Sequence, residues 1–211
     1  MQTTISITFL SDWHISSGIG DGFLVDAVLN RDSDGFPFIP GRSLRGALRH
    51  GAHMLGVCRE DLRQAETFFW EAPKKFNRLG LLRVSSAHFA ADLKQQLTGH
   101  GNKKQLIGDL AVLRSGTALT EEGVSKKGSL HTIECGLQGL ELYATLAVDS
   151  SSEITDAWLE SYFKAVCAMV KSLGADRSRG LGRCQITFLN DNKPVPLPVP
   201  NEFLMKMGAQ A

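Results

Sequence analysis

The first stretch whose residues could do chemistry contains three arginines at helical spacing. In PFIPGRSLRGALR, Arg42, Arg45 and Arg49 stand at positions i, i+3 and i+7, which places three guanidinium groups on one face of a helix. The first turn, after two prolines, contains Gly41, Arg42 and Ser43. Free amides, a hydroxyl and a cation at a helix amino end are suited to hold an anion. The pattern predicts a phosphate-binding helix, with a solvated basic face on an ordinary helix as the alternative.

A second basic cluster lies far downstream, in GADRSRGLGRCQI. Its glycines allow the backbone to come close to a ligand, and its arginines can pair bidentately with phosphates. The residues singled out are Arg177, Ser178, Arg179 and Arg183. The alternative is a basic turn that follows a helix. Because both basic elements adjoin predicted strands, they are expected to converge on one face.

Acids and one histidine complete the set of reactive side chains. Asp26 is the one acid in an apolar, strand-like run that includes Leu24 and Leu29, whereas Asp32 and Asp34 fall in a turn. His14 lies in a polar bend after the first strand and is either a satisfied loop histidine or a phosphate or base contact. A single carboxylate supplies one metal ligand or one general base.

Composition excludes several classes of protein. The chain has 211 residues, with 23 basic and 22 acidic residues and a net charge of +1, so it is not a global polycation and any nucleic acid would have to bind through local clusters. Four scattered cysteines argue against a zinc site and favour buried thiols in a reducing compartment. The beginning of the sequence does not resemble a signal peptide, and no run is long enough to span a membrane, so a cytoplasmic protein is expected. Motifs of triad hydrolases, zinc proteases and P-loop proteins do not occur.

Hydrophobic periodicity predicts the elements that must position these residues. Strands are predicted at 3–10, 81–90, 138–148 and 184–189, and helices after Pro40, at 59–70 and at 153–173. A polar, glycine-broken excursion occupies about 92–130, and a tail with four prolines begins near residue 193. The order favours an α+β fold with a ferredoxin-like βαββαβ core, as in RNA-recognition motifs.

Three blocks in order carry a resemblance to a known family. PFIPGRSLRGALR, RSGTALTEEGVSKKGSLHTIE and GADRSRGLGRCQI together resemble the RAMP superfamily of CRISPR-associated proteins, most closely the repeated backbone subunit of type III effector complexes. The resemblance implies a single RAMP domain over residues 1–211. It also implies a modified RNA-recognition core with a lid and with a thumb-like hairpin inserted at about 92–134.

The resemblance also implies a function. Many copies would bind one guide RNA, together with target RNA and other effector subunits, and no membrane partner is expected. Asp26 matches the loop aspartate that cuts target RNA in such subunits. The implied cofactor is a divalent ion (Mg or Mn), with Asp26 as its ligand. Asp32 and Asp34 are weaker candidates for the catalytic residue. The expected RNA-binding residues are His14, Arg42, Ser43, Arg45, Arg49, Lys126, Lys127, Arg177, Ser178, Arg179 and Arg183.

Two alternatives remain open at this point. The first is a binding-only backbone subunit in which Asp26 merely caps a turn. The second is a guide-processing endoribonuclease of the same superfamily, which acts as a single copy with a histidine-centred site and would make His14 catalytic.

Overall fold

A computed structural model of the protein describes residues 1–18, 20, 25–70, 81–148 and 155–189. The predicted proline-rich tail, Leu24 and the first residues of the predicted helix at 153–173 lie outside these residues. Among the described helices, none is both long and apolar enough to cross a membrane.

The strands are β1 (Gln2–Phe9), β2 (Leu82–Val84), β3 (Ala111–Gly116), β4 (His131–Gly136), β5 (Glu141–Val148) and β6 (Cys184–Phe188). The helices are α1 (Gly41–Cys58), α2 (Arg63–Trp70), α3 (Ala91–Thr98), α4 (Lys103–Gly108) and α5 (Asp156–Met169). Two single 3-10 turns cover Glu60–Leu62 and Arg177–Arg179.

A four-stranded antiparallel sheet organises the molecule, with the strand order β2-β5-β1-β6. The alternation predicted for β1 holds for its apolar face: Ile5, Ile7 and Phe9 are buried. On the other side Thr4 and Thr8 are half-buried, but Ser6 is buried as well. With α1 between β1 and β2, and α5 between β5 and β6, the sheet elements follow the predicted βαββαβ order. The predicted α+β class is confirmed.

Helices α1 and α5 pack against each other beside the sheet, and their apolar side chains join the main core. Gly51 makes the approach possible, because a Cβ at this position would lie 2.7 Å from the Val166 carbonyl oxygen. Phe69 of α2 closes the core: its ring centroid lies 5.4 Å from that of Tyr162 and 5.2 Å from that of Phe163. The aromatic end of α2 therefore caps the core.

The predicted excursion contains more structure than its sequence pattern indicates. Its first part forms α3 and α4, which rest on a separate small core of Phe36, Phe89 and Ile107. The prediction missed these helices because they are short, and α3 buries no residue completely. Its second part is a hairpin of β3 and β4. The hairpin tip exposes apolar side chains, including Leu119 (64%) and Leu130 (73%).

Three predicted element boundaries differ from the structure. Residues 25–29 do not form a strand; they make isolated bridges, from Ala27 to Ile133 and from Leu29 to Ser16. The segment 81–90 shortens to a three-residue strand followed by single bridges. The last helix ends at Met169 rather than at Leu173, because Val170 already has an extended backbone.

Arg45, predicted as an RNA contact, is engaged within the protein. Its Nε and Nη2 donate to the carbonyl oxygens of Leu82 (3.3 Å) and Trp70 (3.2 Å). The Trp70 indole in turn donates to the Arg45 carbonyl oxygen at 3.2 Å. These bonds fasten α1 to the end of α2 and to β2.

We therefore expect Arg45→Ala to lower the free energy of unfolding by about 1–3 kcal/mol, because two carbonyl acceptors on buried residues lose their donors. Arg42→Ala, which removes an exposed arginine of the same helix, should change it by less than about 0.5 kcal/mol. Urea denaturation of the two variants measures the difference. Equal stabilities would contradict the structural role of Arg45.

Three of the four cysteine thiols are buried, as predicted. Cys135, Cys167 and Cys184 are free and buried, whereas Cys58 is exposed. Burial raises the pKa of Cys135 to about 11, so this thiol stays protonated at neutral pH and is a poor nucleophile or metal ligand.

Candidate nucleic-acid interface

A groove of about 530 Å³ lies between α1, the bend around His14 and the loop that precedes β6. Helix α1 lines it with Ser43, Gly46, Ala47 and His50, and the loop with residues 172–175 and Arg177. The predicted convergence of the helix and the glycine-rich loop is therefore observed. Because Gly46 has open space where a Cβ would stand, the groove is accessible along α1.

The loop that forms one wall is fixed by backbone hydrogen bonds. Gly182 donates to the Asp12 carbonyl oxygen (2.7 Å), and Ala175 donates to the His14 carbonyl oxygen (2.9 Å). Gly174, at φ +95°, leaves no room for a side chain, since a Cβ would lie 2.3 Å from the His14 carbonyl oxygen. Gly174 and Gly182 thus serve close packing within the protein rather than close approach to a ligand. A loop held in this way presents its side chains without first having to be ordered.

The loop's side chains form a cationic rim. Arg177 is exposed, lines the groove and has no ion-pair partner within the part of the chain that the structure describes. Arg179 Nη1 lies 3.2 Å from Asp176 Oδ1, but its side chain is still 71% exposed. Arg177, Ser178 and Arg179 also line a second depression of about 620 Å³ on the same loop. Arg183 stands apart from this turn, exposed at the start of β6.

The predicted arginine face of α1 does not line the groove. Arg42 is exposed, Arg45 is bound to carbonyl oxygens, and Arg49 Nε lies 3.6 Å from Glu66 Oε1. The groove residues Ser43, Gly46, Ala47 and His50 form a separate stripe about a quarter of a turn around the helix. Of the four predicted residues on α1, Ser43 is the one placed at the groove.

The amino end of α1 is occupied by the protein itself. The Gly41 amide donates to Ser86 Oγ (3.1 Å), and the Ser43 amide donates to the Pro40 carbonyl oxygen (2.9 Å). A Cβ at Gly41 would lie 2.5 Å from the Val84 carbonyl oxygen. The glycine therefore permits packing onto the end of β2, and anion binding at this helix end stays a prediction.

His14 supports the groove from beneath. Its ring is 3% exposed, and Nδ1 lies 2.6 Å from the Glu134 carbonyl oxygen. Since a carbonyl oxygen accepts, Nδ1 carries the hydrogen and Nε2 is the acceptor in the neutral ring. The ring is thus satisfied at Nδ1, and a contact of His14 with RNA, which stays a prediction, would be made by Nε2.

Asp26 lies beside Thr132 of the β3–β4 ladder, which is called the hairpin base from here on, and is exposed. Its amide donates to the Thr132 carbonyl oxygen (2.8 Å), and the Thr132 amide donates to Asp26 Oδ2 (2.7 Å). One carboxylate oxygen is thus held by β4, and the described residues supply no hydrogen bond to the other. The carboxylate is fixed in place and remains open to a ligand.

The two acids in the turn have protein partners. Asp32 Oδ2 accepts from Lys94 Nζ at 2.7 Å, and Asp34 Oδ2 lies 3.5 Å from the same ammonium. Burial acts to raise the Asp32 pKa, but the hydrogen bonds from Lys94 and from the Phe36 and Asp34 amides bring it below its ordinary value. These acids hold α3 to the turn, which supports their lower rank as catalytic candidates.

Lys126 and Lys127 are exposed in the hairpin tip. Neither is among the residues that line the groove. If they contact RNA, they do so from the hairpin, at a place distinct from the glycine-rich loop.

Two ion pairs at the hairpin base were not predicted. Arg31 Nη2 pairs with Glu134 Oε1 on β4, and Arg114 Nε donates to Asp12 Oδ2 at 3.0 Å from β3. The hydrogen bond to Asp12 raises the Arg114 pKa. The residues of each pair are more than 100 positions apart in the chain, so no local pattern indicates them. His50 was also missed, although it completes an i, i+3, i+4, i+7 stripe with Ser43, Gly46 and Ala47.

The described residues contain no group of three or more His, Cys, Asp and Glu side chains arranged to hold a metal ion. Asp26 would thus contribute one open carboxylate oxygen to a divalent cation, with RNA oxygens and water as the remaining ligands. Mg²⁺ is commonly bound in this way, through one or two carboxylates and substrate phosphates.

Comparison with known proteins gives one family and several related folds. The family model described as RAMP superfamily matches residues 6–185. No curated protein matches the chain. A chain of "Type III-B Cmr-beta Cryo-EM structure of the Apo state" has a TM-score of 0.68 at 13% identity, covering 90% of this chain and 98% of that chain.

Two further solved structures extend the likeness. A chain of the Type III-B Cmr-beta "bound to cognate target RNA" has a TM-score of 0.66 at 13% identity, covering 89% of this chain and 97% of that chain. A chain of "Type IV-B CRISPR Complex" has a TM-score of 0.57 at 17% identity, covering 98% of both chains. At these identities the likeness establishes the fold.

Proposed function

The chain belongs to the RAMP superfamily, and from this premise we propose that it is a backbone subunit of a CRISPR effector complex that binds guide RNA in several copies. The observation that carries the proposal is the groove between α1 and the fixed, arginine-bearing loop. Among the similar solved structures, one is described as a CRISPR complex and another as bound to cognate target RNA, which supports the proposal.

The groove is suited to the backbone of RNA rather than to its bases. Arg177 and Arg179 offer guanidinium groups on a preformed turn, and such groups bind phosphate in a forked geometry. Ser43 and Ser172 add hydroxyls on the two walls. Contacts to phosphate and sugar fix the position of a strand but carry no sequence information. One subunit would therefore hold guides of any sequence.

We further propose that Asp26 cleaves target RNA. RNA provides its own nucleophile, the 2′-hydroxyl, when the nucleotide is splayed so that this oxygen aligns with the leaving 5′-oxygen. The attack forms a 2′,3′-cyclic phosphate and breaks the P–O5′ bond, and the 5′-oxygen takes a proton from water. The hairpin, with its exposed apolar tip next to Lys126 and Lys127, would act as the thumb that imposes such a distortion. Asp26 at its base would accept the proton of the attacking hydroxyl or bind a divalent ion.

A divalent ion, Mg or Mn, supplies charge stabilisation at the scissile phosphate when bound. The open oxygen of Asp26 fits this role as a single protein ligand. Thr132 would keep the carboxylate oriented through its amide, which holds the other oxygen.

The two alternatives differ from this proposal in measurable ways. A binding-only subunit would coat guide RNA without cutting its target. A guide-processing endoribonuclease centred on His14 would act as a single copy, and the buried ring with Nδ1 already engaged argues against it. The groove and the exposed carboxylate at the hairpin base favour the effector subunit.

Co-purification with a CRISPR transcript tests the proposal. We expect the protein expressed with this RNA to elute as a large particle, with many copies per RNA and protected fragments at a regular spacing. Mass photometry and sequencing of the bound RNA give copy number and spacing. A one-to-one complex, or recovery of the protein free of RNA, would contradict the backbone role.

A further inference from the structure

The segment that carries Asp26 runs beside β4 of the hairpin without forming a regular strand. The Asp26 amide donates to the Thr132 carbonyl oxygen, and the Glu134 amide donates to the Ala27 carbonyl oxygen at 2.9 Å. Among the described residues, the segment and β4 share one regular pairing, the parallel bridge from Ala27 to Ile133. Such a short ladder is weak by itself. On its other side the segment is bonded to residues 15–17, through the Ser17 amide to the Val28 carbonyl oxygen (3.1 Å) and the Asn30 amide to the Ile15 carbonyl oxygen (3.2 Å), so its attachment to β4 itself needs a further contact.

Glu134 supplies that support with both oxygens of its carboxylate. Oε2 accepts from the Leu29 amide at 2.9 Å, and Oε1 pairs with Arg31 Nη2. The side chain is 16% exposed, so these bonds are largely protected from water. Arg31 also donates from Nη1 to the Gly35 carbonyl oxygen at 2.7 Å, which ties the pair to the next turn.

We propose that the Arg31–Glu134 pair is a positioning device that fixes Asp26 to the hairpin base, so that the carboxylate and the hairpin move as one body. This proposal rests on the proposed cleavage by Asp26. A partly buried ion pair adds little net stability, but it can specify one geometry. Cleavage needs that specificity, since a catalytic group about 1 Å out of place loses roughly 100-fold in rate.

The second ion pair at the hairpin base provides a matched control. Asp12 and Arg114 join β3 to the end of β1, and Asp12 Oδ1 accepts from the Gln138 amide at 3.0 Å. Neither residue contacts the segment 26–31 in any bond found among the described residues. Breaking this pair loosens the hairpin from the body, while Asp26 stays attached to β4.

The experiment compares Glu134→Gln with Arg114→Gln, using the full chain assembled on guide RNA. Gln has the shape of Glu but lacks the charge and a second acceptor oxygen. We expect Glu134→Gln to slow single-turnover cleavage at least about tenfold with unchanged guide affinity, and Arg114→Gln to slow it less than about twofold. In an Asp26→Asn background, Glu134→Gln should have no further effect on residual cleavage, because it acts through Asp26. Arg31→Gln is the second variant and should behave like Glu134→Gln.

Amide hydrogen exchange separates this proposal from the proposed cleavage itself. In Glu134→Gln the Thr132 amide, which is bonded to Asp26 Oδ2, should exchange faster, while amides of β1 and β5 keep their wild-type protection. Unchanged Thr132 exchange overturns the positioning role whether or not the protein cuts RNA. Faster exchange with wild-type cleavage also overturns it. If the wild type does not cut at all, the cleavage proposal fails, and Thr132 exchange alone decides whether Glu134 holds Asp26.

Discussion

Asp26→Asn is expected to stop target-RNA cleavage while guide and target binding stay at the wild-type level. Asn keeps an oxygen that can accept from the Thr132 amide, as Asp26 Oδ2 does at 2.7 Å, so the loop geometry should survive. What disappears is the negative charge that a divalent ion or a migrating proton requires. Loss of a general base costs about 100-fold or more in rate, and single-turnover cleavage of labelled target measures it.

Two controls define the result. Asp34→Asn removes an exposed carboxylate from the turn that follows and should leave cleavage intact. A chelator should reproduce the effect of Asp26→Asn in the wild type, since the carboxylate offers one protein ligand and depends on the ion. Cleavage that survives Asp26→Asn would mean that another residue carries out the chemistry, or that this chain only binds RNA and the cleavage comes from another component.

The sheet was predictable because its signal is local. Alternation in β1 and β5 follows directly from one face being buried, and Ile5, Ile7, Leu142 and Leu146 all lie in the core. The order of strands and helices then leaves few ways to connect them. The segment 25–29 was mistaken for a strand because its apolar residues, Val25 and Leu29, are buried without regular pairing.

The site was harder to predict, because the spacing of residues in the sequence indicates which face of a helix they share but not which residues they contact. The arginines of α1 share a face, but Arg45 finds the carbonyl oxygens of Trp70 and Leu82, which belong to other elements. Gly41 and Gly174 look like ligand-binding glycines, but each makes room for the protein's own backbone. Glu134 reads as one acid in a strand, and its role depends on Arg31, 103 positions away.

Arg177→Ala is expected to weaken guide-RNA binding about tenfold, because a hydrogen-bonded charge contact is lost. Arg177 lines the groove and is exposed. Among the described residues it has no ion-pair partner that it would have to leave in order to bind RNA. Arg179→Ala should have a smaller effect, since Arg179 must first leave Asp176, 3.2 Å away. Lys104→Ala is the matched control, because it removes one exposed positive charge from α4 outside the groove.

Salt dependence shows whether these losses are phosphate contacts. Each phosphate contact removed should flatten the plot of log affinity against log salt concentration by about 0.7 for a single strand. The loss should be the same for guides of unrelated sequence, since a guanidinium on the backbone reads no base. Affinity measured at several salt concentrations with two unrelated guides provides both values. A loss confined to one guide would mean that Arg177 contacts bases, and an unchanged slope would mean that its guanidinium does not reach the RNA backbone.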